Sequence, residues 1–379
     1  MTKKLTLVLS IVIAAAFMLG ACATTPTAAP VAPAATVAPK APVEPAKAKI
    51  KICQVTDTGG IDDKSFNAMA WDGVEKAIAE LGVEGKYIES QQATDYQPNL
   101  TACKDEGSDL IIGVGSLMWD DTQKAALDNP KQKYAAVDIE TFSFVTMATI
   151  PNLLGNTTEI NDSTFLAGYL SAGMSTTKKV GGYVGKSFPA TLLFLDGYYM
   201  GIKEYNKVHG TNVEMIGYDP KKPAEVLLTN TFDDTDTGRA MAETLLDEGV
   251  DIILPVAGPV GEGTLAVMKE RGTGLVIGVD KDMSKSLPAY ADFILASAMK
   301  RIDYFVYNAI KAVVDGTFTG GSNYVLKMVD GGTYLQYGAN WDSKVPAELK
   351  AELDALAVKI KTKEIITLSP EMIASMAPK

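Results

Sequence analysis

From residue 50 onward, short apolar runs alternate with helical segments, and this alternation restricts the possible folds more than any other feature of the chain. Residues 50–55, 87–89, 110–114 and 134–138 read as strands, with helical segments near 96–106 and 121–128 between them. The second of these helices is stopped by Asn129-Pro130. Strands joined through helices need a crossover rather than a tight turn, which makes neighbouring strands parallel. The pattern recurs at 180–184, 213–218, 252–256 and 275–279, and one more unit follows in 293–297 and the helix 302–314. Two doubly wound α/β units are therefore expected. A last helix begins at Pro346 and sets Leu349, Leu353, Leu356 and Ile360 on one face.

Ligands dock at the carboxyl ends of strands in such sheets. The first strand leads into Asp57-Thr58-Gly59-Gly60-Ile61-Asp62-Asp63-Lys64-Ser65-Phe66-Asn67, and then into a helical pattern through Met69, Val74, Ile78 and Leu81. The glycines let this loop turn, Ser65 is placed to cap the helix, and Gly82 suits a left-handed stop. That leaves Asp57, Phe66 and Asn67 at the mouth, where an aromatic face beside acceptors suits a flat ligand with polar edges. The alternative is an acidic turn with Phe66 stapled into the core. Further along, Asp138 and Asp280 close strands, and Ser116-Leu117-Met118-Trp119 follows the third strand. Gly258-Pro259-Val260-Gly261-Glu262-Gly263 precedes a helix, a place where backbone N–H groups can face a ligand, and Lys300 follows the run 293–297. Singly these read as caps or surface charges; on one shared edge they describe a cleft.

Several chemistries are excluded. A net charge of −11 argues against nucleic acid and against polyanionic substrates. The one histidine, His209, lies in a polar turn, and no cysteine–histidine spacing fits zinc, so no metal or other cofactor is expected. Gly181-Gly182-Tyr183-Val184-Gly185-Lys186-Ser187 fails as a phosphate loop because Val180 stands where glycine is required. Phe232-Asp233-Asp234-Thr235-Asp236-Thr237-Gly238 has its glycine misplaced for a calcium loop and reads instead as a helix start. With no nucleophile elbow either, an enzyme is not expected. Cys53 in the first strand and Cys103 in the second helix come close if the strand order begins 2-1-3. Two buried free thiols are the default there, and an oxidising compartment would permit a disulfide.

The first residues indicate such a compartment. Lys3 and Lys4 precede an apolar stretch over 5–18 that ends in Leu19-Gly20-Ala21-Cys22, the layout of a signal peptide. Its end resembles the lipobox of bacterial lipoproteins, in which the cysteine thiol takes a diacylglycerol before cleavage. Residues 23–49 are mostly Ala, Pro, Thr and Val and read as an extended tether. At ~3.1 Å per residue such a tether reaches up to about 80 Å.

After the tether the chain resembles the basic membrane protein (Bmp/Med) family, the lipoprotein substrate-binding components of nucleoside ABC transporters. The resemblance rests on Asp57 with the stretch Gly60 to Asn67, on Gly113-Val114-Gly115-Ser116-Leu117-Met118, and on Phe165-Leu166-Ala167-Gly168-Tyr169-Leu170. Ile277-Gly278-Val279-Asp280 and Ser297-Ala298-Met299-Lys300-Arg301-Ile302-Asp303 complete it. It implies a type I periplasmic-binding-protein fold, with two lobes joined by three crossings placed after Asp138, after Asp280 and near Asp330. The expected organisation is then a signal peptide over 1–22, a tether over 23–49, one lobe from 50–140 plus 281–330, and another from 141–280 plus 331–379.

The resemblance also implies that Phe66 and Phe194 stack on a purine. By the same resemblance Asp57, Asn67 and Asp138 bond the base edge, Asp280 and Lys300 hold the ribose, and Met118 and Gly258 complete the site. The implied partners are a purine nucleoside, an ABC permease and a membrane reached through the lipid anchor, with the protein itself a monomer. This chain departs from the family pattern at Leu192-Leu193, where basic residues are frequent, and at Trp119, where small ones are. A pentose- or amino-acid-binding protein of the same fold, or a ligand sensor, remains an alternative at this point. If Cys22 carries the lipid, Cys22→Ser releases the protein from membranes in a fractionation assay and leaves ligand binding intact; a variant that stays in the membrane fraction would contradict lipidation.

Overall fold

The computed structural model describes residues 49–376, so the signal segment, Cys22 and all of the tether but Lys49 lie outside the described residues. The first strands are β1 (Lys51–Val55), β2 (Glu84–Ile88), β3 (Leu110–Val114) and β4 (Lys133–Val137). A small antiparallel hairpin of β5 (Phe142–Ser143) and β6 (Ala148–Thr149) follows, and then β7 (Leu153–Thr158). Next come β8 (Lys179–Val184), β9 (Glu214–Ile216), β10 (Ile252–Val256), β11 (Leu275–Asp280) and β12 (Ile294–Lys300). The last two strands are β13 (Ser322–Leu326) and β14 (Thr333–Tyr337).

These strands build two six-stranded sheets, β13-β7-β4-β3-β1-β2 and β14-β12-β11-β10-β8-β9. The two orders match position for position, so β4 corresponds to β11, β3 to β10 and β7 to β12. Within these two sheets the described pairings are parallel except β12 with β14. Burial follows place in the sheet. The central strands Leu-Ile-Ile-Gly-Val (β3) and Ile-Ile-Leu-Pro-Val (β10) are buried throughout, as helices on both faces demand. Strand β2, at an edge, is Glu-Gly-Lys-Tyr-Ile and has no buried residue.

Two crossings differ from the sequence expectation. Strand β7 pairs with β4 and β13, so the chain leaves the first sheet after Thr158 and not after Asp138. Its sequence, Leu-Leu-Gly-Asn-Thr-Thr, has too few apolar residues to announce a buried strand; pairing on both sides holds it in place. Strand β12 pairs with β11, so the chain returns after Lys300 and not after Asp280. Only then does the helix Ile302–Val314 pack against the helix Phe66–Leu81 of the first lobe. The third passage lies between β13 and β14. The crossings bond to one another: Glu159 N donates to Leu326 O at 2.9 Å, Arg301 N to Gly332 O at 2.9 Å, and Thr333 Oγ1 to Met299 O at 2.7 Å.

Helices Ile160–Met174 and Pro189–His209 make the closest helix pair of the second lobe. A Cβ on Gly201 would sit 1.9 Å from the Phe165 carbonyl oxygen, so only glycine permits the approach.

Cys53 and Cys103 form a disulfide, with their Cα atoms 5.7 Å apart, where free thiols were the default expectation. The helix Tyr96–Asp105 lies against β1, and both cysteines are fully buried. The bond closes a loop with a sequence separation of 50. Cys103→Ser is expected to lower unfolding free energy by about 2–4 kcal/mol in urea titrations, and reductant should then shift the wild-type midpoint but not that of the variant. Identical midpoints for the two proteins under oxidising conditions would overturn this.

Candidate ligand-binding cleft

The carboxyl ends of both sheets meet at one cleft with about 620 Å³ of free space, its solvent-open mouth included. Asp57 follows β1, Gly115 and Ser116 follow β3, and Asp138 follows β4. From the other lobe Gly258 follows β10, while Asp280 and Lys300 end β11 and β12. Of the residues expected from sequence, Asp57, Phe66, Asn67, Asp138, Phe194, Gly258, Asp280 and Lys300 all line this cleft. Met118 does not; it is fully buried in the core beneath the first lobe's strands.

The loop after β1 is organised by Asp63, not by Ser65. Asp63 Oδ1 accepts from the backbone N–H of Ser65 and Ala68, each at 3.0 Å, and Oδ2 accepts from Asn67 N at 2.7 Å. One carboxylate thus satisfies three of the N–H groups at the start of the helix Phe66–Leu81. The Ser65 hydroxyl makes no capping bond and instead donates to Asp280 Oδ2 of the other lobe at 2.9 Å. At the far end, Gly82 stops the helix in the left-handed region, φ 70°, as the sequence predicts.

Asn67 is held from two sides, its amide donating to Asp57 Oδ1 at 2.8 Å and to Asp63 Oδ2 at 3.2 Å. Its carbonyl Oδ1 is buried without a hydrogen-bond partner among the described residues, an unused acceptor on a residue that lines the cleft. Gly115 makes room beside it: a Cβ there would stand 2.6 Å from Asp57 Oδ2 and 3.4 Å from the Phe66 ring, at a φ of 107°.

Asp138 and Asp280, at corresponding places in the two sheets, both adopt left-handed backbone, with φ of 56° and 64°. Non-glycine residues seldom hold this conformation, and it concentrates at functional positions. The Lys300 ammonium pairs with Asp138 across the lobes and is almost completely buried. It also lies 5.2 Å from the centre of the Phe66 ring and 5.6 Å from that of Phe194, within cation–π range of both.

Two aromatics were missed by sequence reasoning. Phe188 and Phe232 line the second-lobe wall with rings nearly parallel, 8° apart in plane and 6.4 Å between centres. Phe232 opens the stretch 232–238, whose local sequence signal is that of its aspartates and not of its ring. Phe188 precedes Pro189 at a helix start and carries no local signal. By contrast Phe194 is only 3% exposed, with little face to offer.

This two-lobed architecture, with its cleft between matched sheets, is that of the type I periplasmic binding proteins. A solved solute-binding protein of an ABC transporter system from Aeropyrum pernix K1 aligns with a TM-score of 0.73 at 28% identity, covering 84% of this chain and 92% of that one. The family model described as ABC transporter substrate-binding protein PnrA-like (Bmp) matches residues 50–370, and the chain belongs to that family. Basic membrane protein A of Borreliella burgdorferi is 34% identical over 327 residues, 84% of this chain and 88% of that protein. The ABC transporter nucleoside-binding protein BmpA of Lactococcus lactis is 28% identical over 334 residues, 83% of this chain and 89% of that protein. The protein is accordingly an extracytoplasmic solute-binding component and not an enzyme; its role implies a small-molecule ligand and a permease partner. Among the described residues no helix is long and apolar enough to cross a membrane.

Burial sets the charge state of the cleft. It pushes the Asp57 carboxyl up to about 6 against the pull of Asn67 and the Gly59 N–H. Burial also raises Asp280 to about 6, against the pull of Lys300 and Ser65. Both carboxyls hold a proton more tightly folded than unfolded, where the ordinary value is 3.8. Their contribution to stability is therefore full below about pH 4 and lost as pH rises through about 6. Relative to the Asp57→Asn/Asp280→Asn double variant, ligand-free wild type should lose unfolding free energy across that window in urea titrations at stepped pH. Parallel pH profiles for the two proteins would place the proton uptake elsewhere.

Proposed function

We propose that the cleft captures a purine nucleoside and that the protein delivers it to an ABC permease. The observation that carries this reading is a single cleft in which buried acceptors stand beside phenyl faces. Asp57, Asp280 and the unpartnered Asn67 Oδ1 all accept, so the matching ligand is rich in N–H and O–H donors and has flat apolar faces. A nucleoside has both. A phosphate does not belong there, because the Lys300 ammonium is already paired with Asp138 and the remaining charges are negative.

In this reading Phe66 stacks on one face of the base. Phe232 replaces Phe194 as the second aromatic, being half-buried where Phe194 is covered. The loop bearing Phe232 also brings the Asp233 charge close enough to disfavour ionised Asp57. Asp57, Asn67 and Asp138 take the base edge, Asp280 and Lys300 the ribose, and the backbone at Gly258 closes one side. The nucleoside-binding name of the Lactococcus lactis relative supports the ligand class. A diacylglycerol on Cys22 would anchor the protein, as a monomer, to the membrane that houses the permease.

Stacking is largely blind to base identity, whereas a ribose hydroxyl is read by one acceptor. Phe66→Ala is expected to weaken all purine nucleosides alike, about 10- to 100-fold for ~1–3 kcal/mol. Asp280→Asn, which tolerates the left-handed backbone, is expected to shrink the advantage of ribonucleosides over their deoxy forms. Calorimetric titration with guanosine, adenosine and the deoxy analogues measures both effects. Unchanged affinities in Asp280→Asn would end the ribose assignment, and a loss confined to one base in Phe66→Ala would end the stacking one.

A further inference from the structure

A second cavity adjoins the cleft. Ser116, Asp138, Phe188, Ala190 and Lys300 belong to the walls of both. Beyond them the space widens to about 1920 Å³, its solvent-open mouth included, and runs toward the crossings, which contribute Thr158, Ile160 and Val325. The character of the wall changes there. Trp119 and Phe144 of the first lobe face the annex, as do Leu193 and Ile365 of the second. Its charges are set aside: Asp120 and Glu140 are exposed to solvent, and Glu159 is paired with Lys363 at 2.7 Å.

Among the described residues nothing covers this apolar surface. Trp119, Leu193 and Ile365 are half-buried, and Phe144 is 76% exposed. A bare nucleoside ends in polar groups at every edge and leaves such a wall in water, where apolar area is costly. Trp119 and Leu193 line the annex and not the cleft.

We propose that the annex receives an apolar substituent carried by the ligand, so that the substrates are purine nucleosides bearing a hydrophobic group rather than the bare nucleosides. The proposal rests on the nucleoside reading of the cleft and assigns Trp119 and Leu193 as determinants of specificity. Asp138 and Lys300 belong to both walls, so the two spaces adjoin, and the proposal has one molecule reach from the cleft past this pair into the annex.

Calorimetry with adenosine and guanosine tests this, each against derivatives carrying a benzyl group on the exocyclic amine or, through sulfur, on the 5′ carbon. At least one benzyl compound should bind wild type about tenfold or more tightly than its parent, the gain expected for burying a ring of that size. Trp119→Ala and Leu193→Glu should each reduce that gain while leaving the parent nucleoside unchanged, which also reports that the variants are folded. The position of the effective substituent shows which end of the nucleoside faces the annex. Benzyl compounds that bind no better than their parents would overturn the annex alone, as would a gain that survives in both variants. Benzyl alcohol binding equally well with and without nucleoside would overturn it too, by making the annex an independent site. If neither the parents nor the derivatives bind, the nucleoside reading falls and takes the annex with it.

Discussion

An ammonium withdrawn from water must find a negative partner, and Lys300 finds Asp138 on the opposite sheet. Much else in the structure depends on that pairing. It joins the end of β12 to the end of β4, so it holds one lobe to the other beside the crossings. Removing either partner leaves the other charge buried and uncompensated, which is worse than removing both. Among the described residues it also leaves the cleft wall without a free cation, so the field they set up for a ligand is that of carboxylates. The left-handed backbone at both Asp138 and Asp280 costs conformational energy, and the surrounding sheets hold it in place.

Other contacts across the cleft are few and specific. Ser65 donates to Asp280, and Lys281 reaches Asp72 on the first lobe at 2.6 Å. A ligand that touches both lobes adds to this set and so favours the arrangement in which they are apposed. The crossings are bonded to one another through Glu159, Arg301 and Thr333, so they form one connected unit between the lobes.

Much of this was legible in the sequence, for identifiable reasons. Strands β1, β3, β4, β10 and β11 are apolar runs bounded by turns, and their ends expose Asp57, Asp138, Asp280 and Gly258 by position alone. Strand β7 was hidden because a Gly-Asn-Thr-Thr run becomes a strand only through its neighbours, and with it went the true site of the first crossing. Ser65 looked like a cap because helix starts favour serine; its partner lies 215 residues away, beyond any local pattern. Phe194 was placed by motif register, which cannot tell how much of a ring is left open: it lines the cleft but is only 3% exposed. Phe188 and Phe232 meet only through folding.

The interleaved path of the chain has a consequence for its biosynthesis. The outer strands β13 and β14 come from the last part of the chain, one for each sheet. A polypeptide still being made therefore has two unfinished sheets at once, with β7 and β12 as open edges that present unpaired backbone. Neither lobe can be completed and set aside while the other is produced. Both mature together, within the short interval in which residues 322–337 become available, and a chain cut before Ser322 would lose an edge from each.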